Sequence, residues 1–593
     1  MTMHHKKKGN RAAAAVMFTV FGAAVALSGF GLQPGKEASS GAGTETATAS
    51  VAEYAADPSP VIWYEDDGLY LYRPEDRETI KLSVLKDGGM DRMTLLMYPE
   101  KNPANYTWVL PDGTGAYYLK DITTDYVGVT QGDLWYAPFP EKGKTAEELP
   151  VVGKVMSCEL LPDGSIVWLD SNTSLWILSD TPDKKAPEPQ KIAAGVKEYH
   201  VSADAPEVFL VSENGKAYFF GKNTGKQPVA EGVGTVDFVS DDLGKIYYRT
   251  EGKDLYCVED AGVPKVVDVD VEQIFIIKKT EDIYYLKNDT GTAPASAGTG
   301  MLPAGTGSAL PPADQTELTP EEEELVTLRV EELLQQMEGD SGFQLCFFDG
   351  TPHRNILNGV TAVDSNHLDE TENDRAVVYT GLKNGYSIWL MMGEKPLYTG
   401  LSASDEGLMD LCPDIVRNVL YVSRQREDQI GSTDQGGIYA MRYTEKGFTN
   451  PEPLFDGAVI ISAARDGKVY AGTYPIPEEG STLVVDGEKI SEHVSSFFWD
   501  ENGVSEKIQL YRNIFYQDYY VSGEVDEWSK EGGIRPIAYS VREYHGFKDG
   551  SFTMLCDYDE DEMAGRLVYW DGTGEPAELS RRAAGTRTGD GEE

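Results

Sequence analysis

Residues 236–267 read Val236-Asp-Phe-Val, a turn at Ser240-Asp-Asp-Leu-Gly, Lys245-Ile-Tyr-Tyr-Arg, then Glu251-Gly-Lys, Asp254-Leu-Tyr-Cys-Val, Ala261-Gly and Val263-Pro-Lys-Val-Val. Four short apolar runs alternate with Gly/Asp turns, and Ile274-Phe-Ile-Ile opens the same cycle 38 residues after Val236. Runs of this length, joined by turns too short for a crossover, predict one antiparallel sheet of four strands per cycle. Sheets repeating at this period predict an all-β protein, a β-propeller of four-stranded blades.

A turn phrase recurs with the cycle. It occurs as Leu110-Pro-Asp-Gly-Thr-Gly-Ala-Tyr117 and Leu161-Pro-Asp-Gly-Ser-Ile-Val-Trp168, with weaker copies from Ser202, Ser240 and Cys412. Pro presets φ, Asp caps the turn and Gly supplies a positive φ. The second strand of each unit is marked by an aromatic or apolar pair, at Trp63, Tyr117, Val167, Phe209, Tyr247, Tyr284, Val378, Leu420, Val469, Ile514 and Phe552. These marks give about 10–11 units, more than the usual four to eight blades of one ring. The count therefore predicts two rings, over 60–363 and 374–583, joined by the polar stretch 364–373, with 584–593 as a disordered tail.

One interval, Tyr284 to Val378, is far longer than the rest. It holds a Gly/Ala/Pro/Ser/Thr tract and then Thr319-Pro-Glu-Glu322, a helix start with Thr as N-cap and Pro at the first position. Val326, Val330, Leu333, Leu334 and Met337 follow at helical spacing. The reading is an insertion over 290–341, containing a helix at 320–338, inside the hairpin of one blade. Phe343-Gln-Leu-Cys-Phe-Phe and Arg354-Asn-Ile-Leu then supply the third and fourth strands. An interdomain linker is the other reading of the same segment.

Residues 1–11 form a basic tip, and 12–32 are apolar or small. That run is long enough for a transmembrane anchor, or for a signal peptide with Ala24-Val25-Ala26 as its cleavage site. Either role exports the bulk of the chain. Residues 33–59 read as a flexible stalk. The expected location is the cell membrane, single-pass with the bulk outside; the other reading is secretion after cleavage. The formal net charge of −46 opposes binding to nucleic acid or anionic lipid, so membrane contact is expected only through the N-terminal helix. Five widely spaced cysteines read as buried thiols rather than a disulfide scaffold.

No local motif carries chemistry. Gly339-Asp-Ser-Gly342 matches a serine-protease tetrapeptide but has no accompanying triad segment. Asp557-Tyr-Asp-Glu-Asp-Glu562 begins like a calcium loop, but Glu562 stands where the turn needs Gly and Val568 where the loop needs Glu. His200, His353, His367, His493 and His545 lack the neighbours of a metal motif. No catalytic, cofactor-binding or metal-binding residue is nominated, and no cofactor is expected. The longer connections, 121–130 and 425–435, are nominated as binding loops.

The Pro-Asp-Gly turns at 111–113 and 162–164 resemble the repeats of TolB-like β-propellers. The layout, and residues 325–350 above all, also resemble membrane-anchored or secreted propeller proteins of Gram-positive bacteria without assigned function. The resemblance implies a fold over 60–583 and carries over no catalytic residue. The expected role is a scaffold binding a protein or cell-envelope ligand. A hydrolase or lyase acting on envelope glycans or peptides at a channel mouth is the second reading, and a sensor ectodomain the third.

Overall fold

The computed structural model describes residues 60–84, 102–124, 129–140, 146–179 and 188–288. It also describes 342–586, apart from 352–353, 365–367, 369–374, 383–384, 403–407, 415–416, 426–435, 445–446, 457–459, 464–468, 473–480, 487, 500–506, 518–519, 548–550 and 560. The expected segments 12–32 and 320–338 lie outside the described residues. Among the described residues, no helix is long and apolar enough to cross a membrane.

The described strands are antiparallel and group into eleven units of four strands, one of them extended by the two-residue strand Gly447–Phe448, which form a β-propeller. Strands within a blade are lettered a to d in chain order, except in blade 1, where Gly585–Thr586 is the a strand and Val61–Glu65 the b strand. Blade 5 is Val233–Val239, Lys245–Thr250, Leu255–Glu259 and Lys265–Asp268, hydrogen-bonded in that order. Each of the eleven positions marked in the sequence falls on a b strand, from Trp63 in Val61–Glu65 to Phe552 in Phe552–Asp559.

The b strand explains its own composition. Successive side chains on a strand point to opposite faces. Both faces of a b strand meet a neighbouring blade, so consecutive residues are both buried. Tyr117 packs with Trp168 of blade 3, and Tyr118 with Leu71 of blade 1. Tyr247 packs toward blade 6 and Tyr248 toward blade 4. Tyr284 and Tyr285 divide in the same way between blades 7 and 5. Each such fully buried side chain contributes roughly 1.5–3 kcal/mol.

These shared cores run in sequence through all eleven blades. Blades 7 and 8 share Val377 and Leu420, blades 8 and 9 Tyr421 and Val469, and blades 9 and 10 Tyr470 and Leu510. Blades 10 and 11 share Tyr511 and Met554, and blade 11 meets blade 1 through Leu555 and Trp63. The blades therefore follow one circuit rather than the two rings that the count suggested. The stretch 364–373, read as a joint between rings, lies instead between two paired strands of blade 7, Arg354–Asp364 and Arg375–Leu382.

Gly585–Thr586 closes the circuit by pairing with Tyr64 and Trp63, as the a strand of blade 1. Composition alone places these two residues in a disordered tail, but their backbone is paired. The open edge of Val61–Glu65 gives their backbone a place to pair. Asn102 Nδ2 donates to the Thr586 carbonyl at 2.7 Å, and Ser580 Oγ donates to Glu65 Oε1 at 2.6 Å.

Blade-to-blade junctions share a conformation. A residue with positive φ precedes a buried apolar one at Lys154/Val155, Gly195/Val196, Gly232/Val233, Asp270/Val271, Gly359/Val360, Gly400/Leu401, His493/Val494 and Ser540/Val541. At four junctions one strand serves both blades. Val155 pairs with Gly132 of blade 2 and Asp170 of blade 3, and Val360, Val494 and Val541 repeat this double pairing. Asp282–Asn288 pairs with Phe343–Phe348, so residues 289–342 lie between the b and c strands of blade 6.

Candidate functional site

Strand alternation places every b–c connection and every blade junction on one face, and the a–b and c–d turns on the other. The nominated loops 121–130 and 425–435 are both b–c connections, of blades 2 and 8. They share their face with the segment 289–342. Residues 125–128 and 426–435 lie outside the described residues. The Pro-Asp-Gly turns occupy the opposite face. There Gly113 and Gly164 take positive φ, and their N–H groups donate to the Leu110 and Leu161 carbonyls, both at 2.9 Å.

The a strands of neighbouring blades touch each other, which marks them as the inner wall. Lys197 Nζ of blade 4 donates to the Gly234 carbonyl of blade 5 at 2.7 Å. Two of these inner strands carry nearly the same five residues. Blade 4 has Val196-Lys-Glu-Tyr-His200 and blade 11 has Val541-Arg-Glu-Tyr-His545. The likeness extends to the preceding blades. Tyr199 Oη lies 3.1 Å from Ser157 Oγ of blade 3, and Tyr544 Oη bonds Ser496 Oγ of blade 10. Each serine stands two residues after a junction valine, Val155 or Val494, and each tyrosine three residues after Val196 or Val541.

With tyrosine turned toward the blade before, Glu and His at the flanking positions share the opposite face. Burial pushes the Glu198 carboxyl up and nearby Asp237 adds to this, against the opposing charge of Lys197. Burial likewise raises Glu543, opposed by Arg542. Burial lowers His200, and takes His545 to about 4. Both imidazoles are thus neutral at pH 7, and their Nε2 atoms have no hydrogen-bond partner among the described residues. Beside the first set, Asp237 accepts two bonds from Arg249, at 2.9 and 2.6 Å. The sets can donate and accept hydrogen bonds, but they stand on blades 4 and 11 and do not form one centre.

Neither histidine has metal-motif neighbours in the sequence, so local spacing does not single it out. The signal lay in comparing inner strands 345 residues apart, which share Val-basic-Glu-Tyr-His. His493 sits at a junction with positive φ. His353 and His367 lie outside the described residues. Gly342 is described and the rest of Gly339–Gly342 is not. In the acidic hairpin of blade 11, Asp559 Oδ1 accepts the Asp561 and Glu562 backbone N–H groups, an ordinary turn. Among the described residues, no group of three or more His, Cys, Asp or Glu side chains is placed to hold a metal ion. All five cysteines are buried.

A concavity lies on the flank between blades 2 and 3. It is open to solvent on one side and offers about 190 Å³, lined by Gly153 and Lys154 of the junction, Trp168 and Asp170 of the b strand, Asn172 of the b–c turn, and Trp176 of the c strand. Trp176 Nε1 donates to Asp170 Oδ2 at 2.9 Å, while Asp170 Oδ1 accepts the Asn172 and Ser174 N–H groups at 2.8 and 2.9 Å. Burial pushes the Asp170 carboxyl up. The Ser174, Trp176 and Asn172 donors and the Lys191 charge outweigh it and hold the group below the usual carboxylate range.

No family model matches this chain, and no curated protein does. Among solved structures, it is similar to a eukaryotic initiation factor at 8% identity, covering 89% of this chain and 98% of that one, with a TM-score of 0.35. It is similar to the tricorn protease at 11% identity, covering 88% of this chain and 57% of that one, with a TM-score of 0.27. The β-propeller domain of the Trilobed protease from Pyrococcus furiosus is 12% identical, covering 57% of this chain and 93% of that domain, with a TM-score of 0.22. None of these likenesses carries an argument about function.

Proposed function

We propose that the protein is a binding scaffold of the cell envelope, tethered by residues 12–32, with its propeller outside and a protein or envelope ligand held on the inner wall. The observation that carries this reading is the duplicated Glu-Tyr-His set. Catalysis needs its groups converged on one reacting atom. Two like sets on separate blades instead suit two contacts with one large partner or with a repeating polymer. The acidic surface steers toward a neutral or basic partner. The test is direct binding of purified envelope polymer, or of a candidate partner, to wild type and to Glu198→Gln/His200→Ala and Glu543→Gln/His545→Ala variants. Each pair should weaken binding and the quadruple variant should weaken it further; binding untouched by all of them rejects the reading. Protease access to the propeller in intact cells tests the orientation.

The hydrolase reading draws on one observation, the raised Glu198 carboxyl with a neutral imidazole two residues away. Turnover of an envelope glycan or peptide that vanishes in Glu198→Gln would favour it. Turnover without such dependence would remove the residue from consideration.

A further inference from the structure

We propose that the flank cleft between blades 2 and 3 is a site for a neutral pyranose ring, with the Trp176 indole as its platform. This site is separate from the inner wall, and its fate does not depend on the scaffold reading. Trp63, Trp168 and Trp570 are each 1% exposed or less, whereas Trp176 keeps part of its surface open. Its ring is fixed in advance. The Nε1 bond to Asp170 locks one edge, and the pairing of Trp168 with Trp176 across the strands holds the backbone. Fixing a platform before binding lowers the ordering cost of the complex.

The polar groups select the ligand. A carboxylate offers about four lone-pair sites. Asp170 has filled three, with Asn172 N, Ser174 N and Trp176 Nε1, and one remains for a ligand hydroxyl. Asn172 and Lys154 supply further exposed polar groups at the rim. Lys191 Nζ already stands over the Trp176 ring, 5.3 Å from its centroid, and Lys154 lines the cleft, so a second cation is repelled. At the Asp170 position itself, the one open lone-pair site of an ionised carboxylate takes a hydroxyl donor and not an anion. A neutral ring with a C–H face for the indole and hydroxyls for the rim satisfies all of these groups. The volume is below the about 300 Å³ at which drug-sized pockets begin, which suits a single ring of a longer glycan.

The experiment uses the full chain with methyl glucoside, methyl galactoside, methyl mannoside and N-acetylglucosamine as probes. Binding is read by saturation-transfer NMR and by tryptophan fluorescence. At least one probe should bind in the range of about 1 mM. Trp176→Ala should weaken it at least tenfold and Trp176→Phe less, with thermal unfolding confirming that both variants fold. Lys191→Ala leaves the Asp170 contacts in place and should keep or tighten binding. No transfer to any of the four sugars overturns the proposal, as does binding undiminished in folded Trp176→Ala. Binding of glycine betaine or inorganic phosphate at this cleft in preference to every sugar also overturns it.

Discussion

The Tyr199 hydroxyl lies 3.1 Å from the Ser157 hydroxyl across the boundary between blades 3 and 4, and Tyr544 with Ser496 repeats the contact between blades 10 and 11. Each pair ties together two inner strands that share no ladder hydrogen bonds. A hydroxyl pair in such surroundings contributes about 1 kcal/mol. A double-mutant cycle of Tyr199→Phe and Ser157→Ala, followed by urea unfolding, should therefore return a coupling near that value. Strict additivity of the two single variants would show that the hydrogen bond contributes nothing to stability.

Asn102 holds the closing strand from the side. Its Nδ2 donates to the Thr586 carbonyl, and its Oδ1 accepts the Ala104 N–H at 3.0 Å. Asn102→Ala leaves both groups without this partner and should cost about 1–3 kcal/mol. Amide exchange at residues 61–64 should quicken more than exchange in blade 5. Uniform exchange across the propeller would mean that the closure does not depend on this side chain.

At the junction into blade 5, Gly232 has φ +78, and a Cβ there would meet no atom within 4 Å. Any penalty for substitution is thus conformational rather than steric crowding by neighbours. Gly232→Val should lower stability by about 1–2 kcal/mol, and Gly232→Asn by less, because Asn tolerates the left-handed region. Equal losses in denaturant midpoint for the two variants would contradict this account.

The imidazole of His545 is held neutral by burial, with its pKa lowered from 6.5 to about 4. Between these values the unfolded chain binds more protons than the fold, so this group's contribution is lost as the pH falls from about 6.5 towards 4. The slope approaches about 1.4 kcal/mol per pH unit. His200 acts in the same direction, while the raised Glu198 and Glu543 act in the opposite one. The comparison is therefore made by difference. Wild type should lose more stability than His545→Gln between pH 6 and pH 5, and parallel curves would show that His545 is not held neutral.

Much of the fold was legible because each blade is local. The pairs at Tyr117, Tyr247 and Tyr284 mark strands buried on both faces, and the turn at Leu110-Pro-Asp-Gly113 closes with its own backbone. The junctions were harder. Lys154, His493 and Ser540 take a positive φ that residue type alone does not announce, and only the buried valine after each one betrays the rule. The closure by Gly585–Thr586 and the matched inner strands at 196–200 and 541–545 join segments hundreds of residues apart. A local reading has no access to such pairings. The flank cleft depends on Trp168 and Trp176 meeting Lys154 of the junction strand, which composition cannot convey.

The pairing of Gly585 with Tyr64 also sets an order of events during synthesis. Blade 1 lends its exposed edge to a strand translated more than five hundred residues later. Until then its open backbone edge can template on any extended chain. A nascent copy therefore carries this open edge until residues 585–586 have been made. A variant that slows translation ahead of residues 585–586 should raise insoluble product without altering the stability of the molecules that mature.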